Sequence, residues 1–222
     1  MPITYHIDAD KISLDELRER IEATDLVPSR VSLLEGIGTK FKALGNASIT
    51  TLANLRYELK NARRQEALAT STGIDKQYLI LLRREIEGYF PKPAALKKFD
   101  WLPQVEISKL EKYGVRDAAQ AYEAMRSDRD IAELAKLTGV DATMLETLSH
   151  LVDLTRIQWV SPLTARMLTD TGYDNAKKVA AADAKTLCDD LARVNVSGKY
   201  FKGKIGLRDI QRLIHAADYV PR

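Results

Sequence analysis

The chain has 222 residues, 45% of them hydrophobic and 29% charged, with one cysteine, three histidines and a net charge of +3. This composition is typical of a globular protein with its own core. A single cysteine excludes an internal disulfide and a cysteine-based zinc site. We find no leader-like apolar run and no stretch of membrane-spanning length, so we predict a cytoplasmic protein without membrane contact. Basic side chains outnumber acidic ones in 31–98 and 157–222, which predicts two basic patches.

The first thirty residues are predicted to form an N-terminal extension. Tyr5–Ile7 is compatible with a short strand, and the letters SLDELRERIEA that begin at Ser13 predict an acidic helix. Ser13 suits the N-cap of this helix and Glu16 its third position, which is the pattern of a capping box.

A glycine turn follows in LLEGIGTKFKAL, Leu33–Leu44, where Gly36 and Gly38 stand one residue apart between two apolar helical patterns. Glycine permits positive φ and a close backbone approach. Ile37 between the two glycines can enter the core of a helical hairpin. The spacing therefore predicts a tight turn between two helices.

The next helix is expected to start near Thr39, with unpaired N–H groups that point outward. Such a helix start favours an anion, most often a phosphate, and the lysines at 40 and 42 add positive charge. The residues predicted to bind are Gly36, Ile37, Gly38, Thr39, Lys40 and Lys42.

Segments later in the chain resemble one another. LATSTGIDKQYLILLRREI at Leu68–Ile86 resembles LAKLTGVDATMLETLSHLV at Leu134–Val152. WLPQVEISKLEKYGV at Trp101–Val115 resembles WVSPLTARMLTDTGY at Trp159–Tyr173. Both tryptophans are expected to plug the core of a hairpin. The similarities predict copies of one helical plan.

The proline-containing stretch Phe90–Asp100 is the best candidate for a linker between copies. We predict three segments: an N-terminal extension at 1–30, a first repeat at 31–97, and the second and third repeats at 98–222.

The glycine turn is similar to the helix–hairpin–helix motif, in which Gly-hydrophobic-Gly precedes a helix with small and basic residues. Most of the chain, about residues 31–222, resembles an uncharacterised family of bacterial proteins built from tandem helix–hairpin–helix units. Besides the glycine turn, the segments that carry this resemblance are the TGID and TGVD pairs, HLVDLTRIQWVSPLTARMLTDTGY and LARVN. The resemblance implies an all-α, SAM-like fold, no known enzymatic activity and no assigned function. Such hairpins elsewhere bind the DNA backbone without reading sequence.

The later copies depart from the motif. Their turns read Pro103-Gln104-Val105 and Ser161-Pro162-Leu163, without two glycines. Proline has no N–H to donate, so these turns are predicted to be structural. In the first copy, Ser48 stands where glycine is usual.

Two basic features each allow two interpretations. In the insert Ser197–Gly206, Tyr200 and Phe201 can stack on bases, or can pin the loop to the core with its lysines solvated. The pairs Arg63–Arg64 and Arg83–Arg84 form either a phosphate track or an ordinary solvated helix face. The lysines of the insert that are predicted to hold phosphates are Lys199, Lys202 and Lys204.

The three histidines stand in unrelated sequence contexts, and neither a phosphate-cradling loop of the Walker type nor an acidic cluster with two-metal spacing is present. We therefore predict no enzyme, no metal and no cofactor. The sequence leaves two hypotheses: non-enzymatic binding of DNA or another nucleic acid through its phosphate backbone, and a protein-interaction or structural scaffold of helical repeats.

Overall fold

The computed structural model describes residues 4–196 and 200–221, and over these residues the chain is helical, with isolated bridges and no β-strand. It divides into two compact units, one made of Ile7–Phe90 and the other of the residues up to His6 together with Pro91 onward. Residues 7–30 therefore belong to the same unit as the glycine turn. None of the described helices is long and apolar enough to cross a membrane.

The Ile7–Phe90 unit contains five α-helices and a 3₁₀ helix, η1, around one leucine-rich core. Four of its five α-helices begin at side-chain caps, because the first N–H groups of a helix need acceptors. Ser13 and Glu16 form the predicted capping box, and Asp75 caps the last helix. The elements are α1 (Leu14–Ala23), η1 (Pro28–Leu34), α2 (Ile37–Asn46), α3 (Leu52–Lys60), α4 (Ala62–Thr72) and α5 (Lys76–Glu87).

The second unit has its own core, to which Tyr5 and helices from both ends of the unit contribute. Its elements are the 3₁₀ helix η2 (Leu96–Lys98), α6 (Gln104–Tyr113), α7 (Ala118–Ala124), α8 (Asp128–Thr138), α9 (Ala142–Leu154), α10 (Pro162–Thr169), α11 (Ala176–Ala180), α12 (Ala184–Val194) and α13 (Leu207–Asp218).

The two units use the same local signals at equivalent sequence positions. Left-handed glycines end α4 and α8, at Gly73 and Gly139. Ser48, after α2, has φ 64° and thus takes the conformation that Gly114 takes after α6. The N-caps of α3, α4 and α5 likewise correspond to those of α7, α8 and α9: Thr51, Asn61 and Asp75 match Asp117, Ser127 and Asp141.

Two sequence expectations are wrong. Tyr5–Ile7 is not a strand; Tyr5 is buried and its hydroxyl donates to the carbonyl of Thr155 at 2.9 Å. Trp159 does not plug a core, since it is 54% exposed and has φ 69°. Its neighbours Ile157 and Val160 are buried and occupy the core side of this turn.

Candidate nucleic-acid interface

The glycine turn joins η1 to α2. Gly36 is the N-cap of α2 with φ 59° and ψ 29°, a left-handed conformation that glycine adopts without strain, and no side chain caps the helix. Ile37 is buried in the core of the unit, as predicted. The helix begins at Ile37, two residues before the predicted start at Thr39.

The backbone donors of this turn are accessible. The N–H of Lys40 donates to the carbonyl of Gly36 at 3.1 Å and makes the first bond of α2. The N–H groups of Ile37, Gly38 and Thr39 precede that bond and have no acceptor among the described residues. Gly38 and Thr39 are exposed, and a Cβ added at Gly38 would meet no atom within 4 Å. Gly38 and Thr39 thus present unbonded donors to solvent at the positive end of the helix dipole.

The lysines of the turn differ in their surroundings. The ammonium of Lys40 donates to the carbonyl of Glu35 and lies 4.4 Å from the centroid of the Tyr78 ring. The Tyr78 hydroxyl in turn donates to the carbonyl of Leu33 at 3.0 Å. Burial raises the pKa of Tyr78 to about 12, so this hydroxyl stays protonated. Lys40 is therefore part of the turn itself, whereas Lys42 is exposed.

An open groove of about 570 Å³ runs between α1 and α2 beside the turn. Gly38, Lys42 and Gly45 line its α2 side, and Asp15 and Arg18 line its α1 side. Arg18 is 3.9 Å from the Asp15 carboxylate. Lys42 makes no ion pair within the described chain, so its charge is available to an anion bound at the glycine turn.

The insert supports both of its interpretations in part. Tyr200 is buried and its hydroxyl donates to the carboxylate of Asp170, which pins the loop as the second interpretation expects. Phe201, Lys202 and Lys204 are exposed. Lys199 lies outside the described residues. These side chains belong to the second unit, whereas the glycine turn belongs to the Ile7–Phe90 unit.

The turns before α6 and α10 differ from the glycine turn in having no glycine. At α6 the N–H groups of Gln104 and Val105 precede the first bond, from the N–H of Glu106 to the carbonyl of Pro103 at 3.0 Å. Ser161 caps α10, since its hydroxyl accepts from the N–H of Thr164 at 3.1 Å, and Pro162 has no N–H. Pro103 caps α6 without a side-chain hydrogen bond. Val105 and Leu163, the second residues of these helices, are 71% and 41% exposed.

Comparison with known proteins gives one match. A family model described as Domain of unknown function (DUF4332) matches residues 102–220. This stretch belongs to the second unit and does not include the glycine turn. The description names no repeat, ligand or organism. Neither the curated proteins nor the solved structures contain a match to the chain.

Proposed function

The chain belongs to the DUF4332 family, whose function is unknown, and we propose that it binds the phosphate backbone of nucleic acid without catalysing a reaction. The binding site is the glycine turn, Gly36–Lys40. The carrying observation is that the N–H groups of Ile37, Gly38 and Thr39 have no acceptor in the described chain. The Gly-hydrophobic-Gly pattern and the caps shared by both units support a tandem helix–hairpin–helix plan.

Phosphate oxygens would accept from these N–H groups, and the helix dipole and the Lys40 ammonium would add positive potential. The bare backbone at Gly38 permits the close approach that such bonds require. Contacts of this kind position a backbone and carry no sequence information. We therefore expect little sequence preference and an affinity that falls steeply with salt, because each neutralised phosphate releases counterions.

A pair of glycine variants tests the turn. Gly38 and Gly45 both lie on α2, and an added Cβ at either would meet no atom within 4 Å, so Gly38→Val and Gly45→Val both fit the fold. Fluorescence anisotropy with a labelled duplex at low and moderate salt measures the affinity. Gly38→Val should weaken binding by about tenfold, the value of a charge-assisted hydrogen bond, while Gly45→Val should bind as the wild type does.

A second pair tests the charge. Lys42→Glu is preferable to Lys40→Glu, because Lys40 also holds the turn through the Glu35 carbonyl. Lys42→Glu should weaken binding and flatten the salt dependence, whereas Lys112→Glu, at an exposed site in the second unit, should not. Absence of duplex binding at low salt, or equal affinities for Gly38→Val and Gly45→Val, would overturn the proposal.

A protein-interaction role is the second candidate. Trp159 and Leu163, four residues apart in the sequence around the start of α10, are both exposed apolar side chains, and a patch of neighbouring exposed apolar side chains is one mark of a protein contact. The specific expectation is self-association through these residues. Sedimentation of the wild type should then show a concentration-dependent dimer that Leu163→Lys abolishes; a monomer at all concentrations would count against this role.

A further inference from the structure

The side chains of Tyr57 and Arg64 form a stacked pair on the surface of the Ile7–Phe90 unit. Tyr57 is 61% exposed, and the Arg64 guanidinium carbon lies 3.8 Å from the centroid of its ring. Nε and Nη2 of Arg64 donate to the backbone carbonyl of Tyr57 at 3.0 and 2.8 Å. This carbonyl is among the last four of α3, for which the helix itself supplies no N–H donor. The bonds hold the guanidinium in place and leave Nη1 without an acceptor in the described chain.

The helix that carries Arg64 starts with two cations and no acidic residue. Arg63 and Arg64 are the second and third residues of α4, and its first turn contains no acidic residue. Cations at the N-terminus of a helix are unfavourable, because they face the positive end of its dipole. Arg63 and the preceding Lys60 are exposed and make no ion pair within 4 Å in the described part of the unit. An anion bound here would relieve this repulsion.

An ion pair at Glu87 joins α3 to α5, with Lys60 one helical turn after Arg56 and Arg83 one turn before Glu87. Arg56 engages both of its oxygens, at 3.0 and 3.1 Å. The pKa of Glu87 is lowered first by this hydrogen bond, and the charges of Arg56, Lys60 and Arg83 lower it further. One carboxylate, already committed to Arg56, thus lies near two more cations. Lys60, Arg63 and Arg64, together with Tyr57, are here named the basic face.

The second unit shows that the fold does not require these residues. Counted from the corresponding N-caps, the second unit has Glu123 at the position of Tyr57 and Asp130 at the position of Arg64. The first turn of α8 carries Asp128 and Asp130, as the helix dipole favours. The corresponding helices of the second unit, α7 and α8, therefore form with acidic residues at these positions. The cations at the start of α4 depart from the preference for acidic residues at a helix N-terminus, and departures that reduce stability are expected at functional sites.

We propose that the basic face binds single-stranded nucleic acid, with an unpaired base stacked on Tyr57 and the adjoining phosphates held by Arg63, Arg64 and Lys60. An exposed ring beside fixed cations is the arrangement that binds single strands with little sequence preference. In a duplex the faces of the bases are covered by their neighbours, so Tyr57 contributes only where bases are unpaired. The inference rests on the proposed function in that both ligands are nucleic acids, but it uses different residues.

The test measures anisotropy of a labelled single strand of about 16 nucleotides, the upper size for one such site, beside the labelled duplex. Tyr57→Ala should weaken single-strand binding by about tenfold, while Tyr57→Phe keeps the ring and the affinity. Duplex affinity should be unchanged in both. Tyr113→Ala, at an exposed tyrosine of the second unit, is the matched control and should bind both ligands as the wild type does.

The charges are tested by Arg63→Glu against Arg129→Glu, which occupy the same position in α4 and α8. Arg63→Glu should weaken single-strand binding and reduce its salt dependence; Arg129→Glu should do neither. Single-strand affinity that is undetectable, or unchanged in Tyr57→Ala, overturns the inference. If the single strand binds through Tyr57 while the duplex does not bind, the inference stands and the glycine-turn proposal fails.

Discussion

The guanidinium of Arg156 donates to the carbonyl of Pro221 at 2.6 Å and so ties the end of the described chain to the turn after α9. The same group donates to the carbonyls of Thr4 and Tyr5 at 3.3 and 3.2 Å. Its Nη1 lies 2.5 Å from the carboxylate of Asp153. One buried side chain thus holds both ends of the second unit.

Replacing Arg156 by leucine should lower the free energy of unfolding by about 3 kcal/mol, because it removes the cation paired with the partly buried Asp153 carboxylate, which keeps only the Ala176 N–H among the described donors, and removes the guanidinium that donates to several carbonyls. Urea denaturation followed by circular dichroism measures the change. Arg193→Leu, which breaks an exposed pair with Asp190, should have a much smaller effect. Equal losses in the two variants would show that Arg156 does not hold the chain ends.

Ser48 offers a prediction about backbone strain. Its φ of 64° costs a non-glycine residue about 1 kcal/mol. Ser48→Gly should therefore raise the free energy of unfolding, by about 0.5 kcal/mol once the greater freedom of the unfolded chain is subtracted. Ser48→Val should lower it, since a β-branched residue is still less suited to this conformation. Thermal denaturation of both variants checks the sign, and a less stable glycine variant would contradict the assignment.

The side chain of Gln65 is 4% exposed, and its amide nitrogen Nε2 has no partner among the described residues. At the same position of α8 the chain has buried Ile131. Gln65→Met, of similar length, should raise the free energy of unfolding by about 1 kcal/mol, because it removes an unsatisfied donor. Gln65→Glu should lower it by burying a charge. If methionine destabilises the fold in urea denaturation, the amide has a partner in solution.

Glu85 should make stability depend on pH. Its carboxylate is buried, with Arg30 at 3.7 Å and Arg20 over the ring of Tyr89 beside it. Burial raises the pKa of Glu85 more than the Tyr89 hydrogen bond and the two arginines lower it. Folding therefore favours the protonated form. The stabilising contribution of Glu85 is complete below about 4.3, the pKa of this carboxyl in the unfolded chain. It is lost as the pH rises through the higher pKa of the folded state.

The Glu85→Gln variant mimics the protonated form at every pH. Relative to the wild type, its free energy of unfolding should increase between about pH 4 and pH 7. Urea denaturation at several pH values measures the difference, and Glu16→Gln, at an exposed carboxylate whose pKa is lowered by Ser13, should show the opposite trend. A difference that does not vary with pH would show that Glu85 titrates as an ordinary carboxyl.

Much of the architecture could be predicted because its signals are local. Ser13 and Glu16 mark a helix start through hydrogen bonds within four residues, and Gly73 with Asp75 marks the end of one helix and the start of the next. The glycine turn is predicted by local signals as well. The exposure of Trp159 could not be predicted, because its position in the repeat does not say which neighbouring residues already fill the core.

The sequence by itself determined the start of α1 at Ser13, the end of α4 at Gly73, the start of α5 at Asp75 and the turn at Gly36–Gly38, since caps and backbone conformation depend on adjacent residues. Only the tertiary structure decided that Arg64 lies on Tyr57, that Arg56 of α3 pairs with Glu87 of α5, and that Arg156 holds the chain ends. Those contacts join separate elements, and their geometry is set by how the helices pack around the shared core.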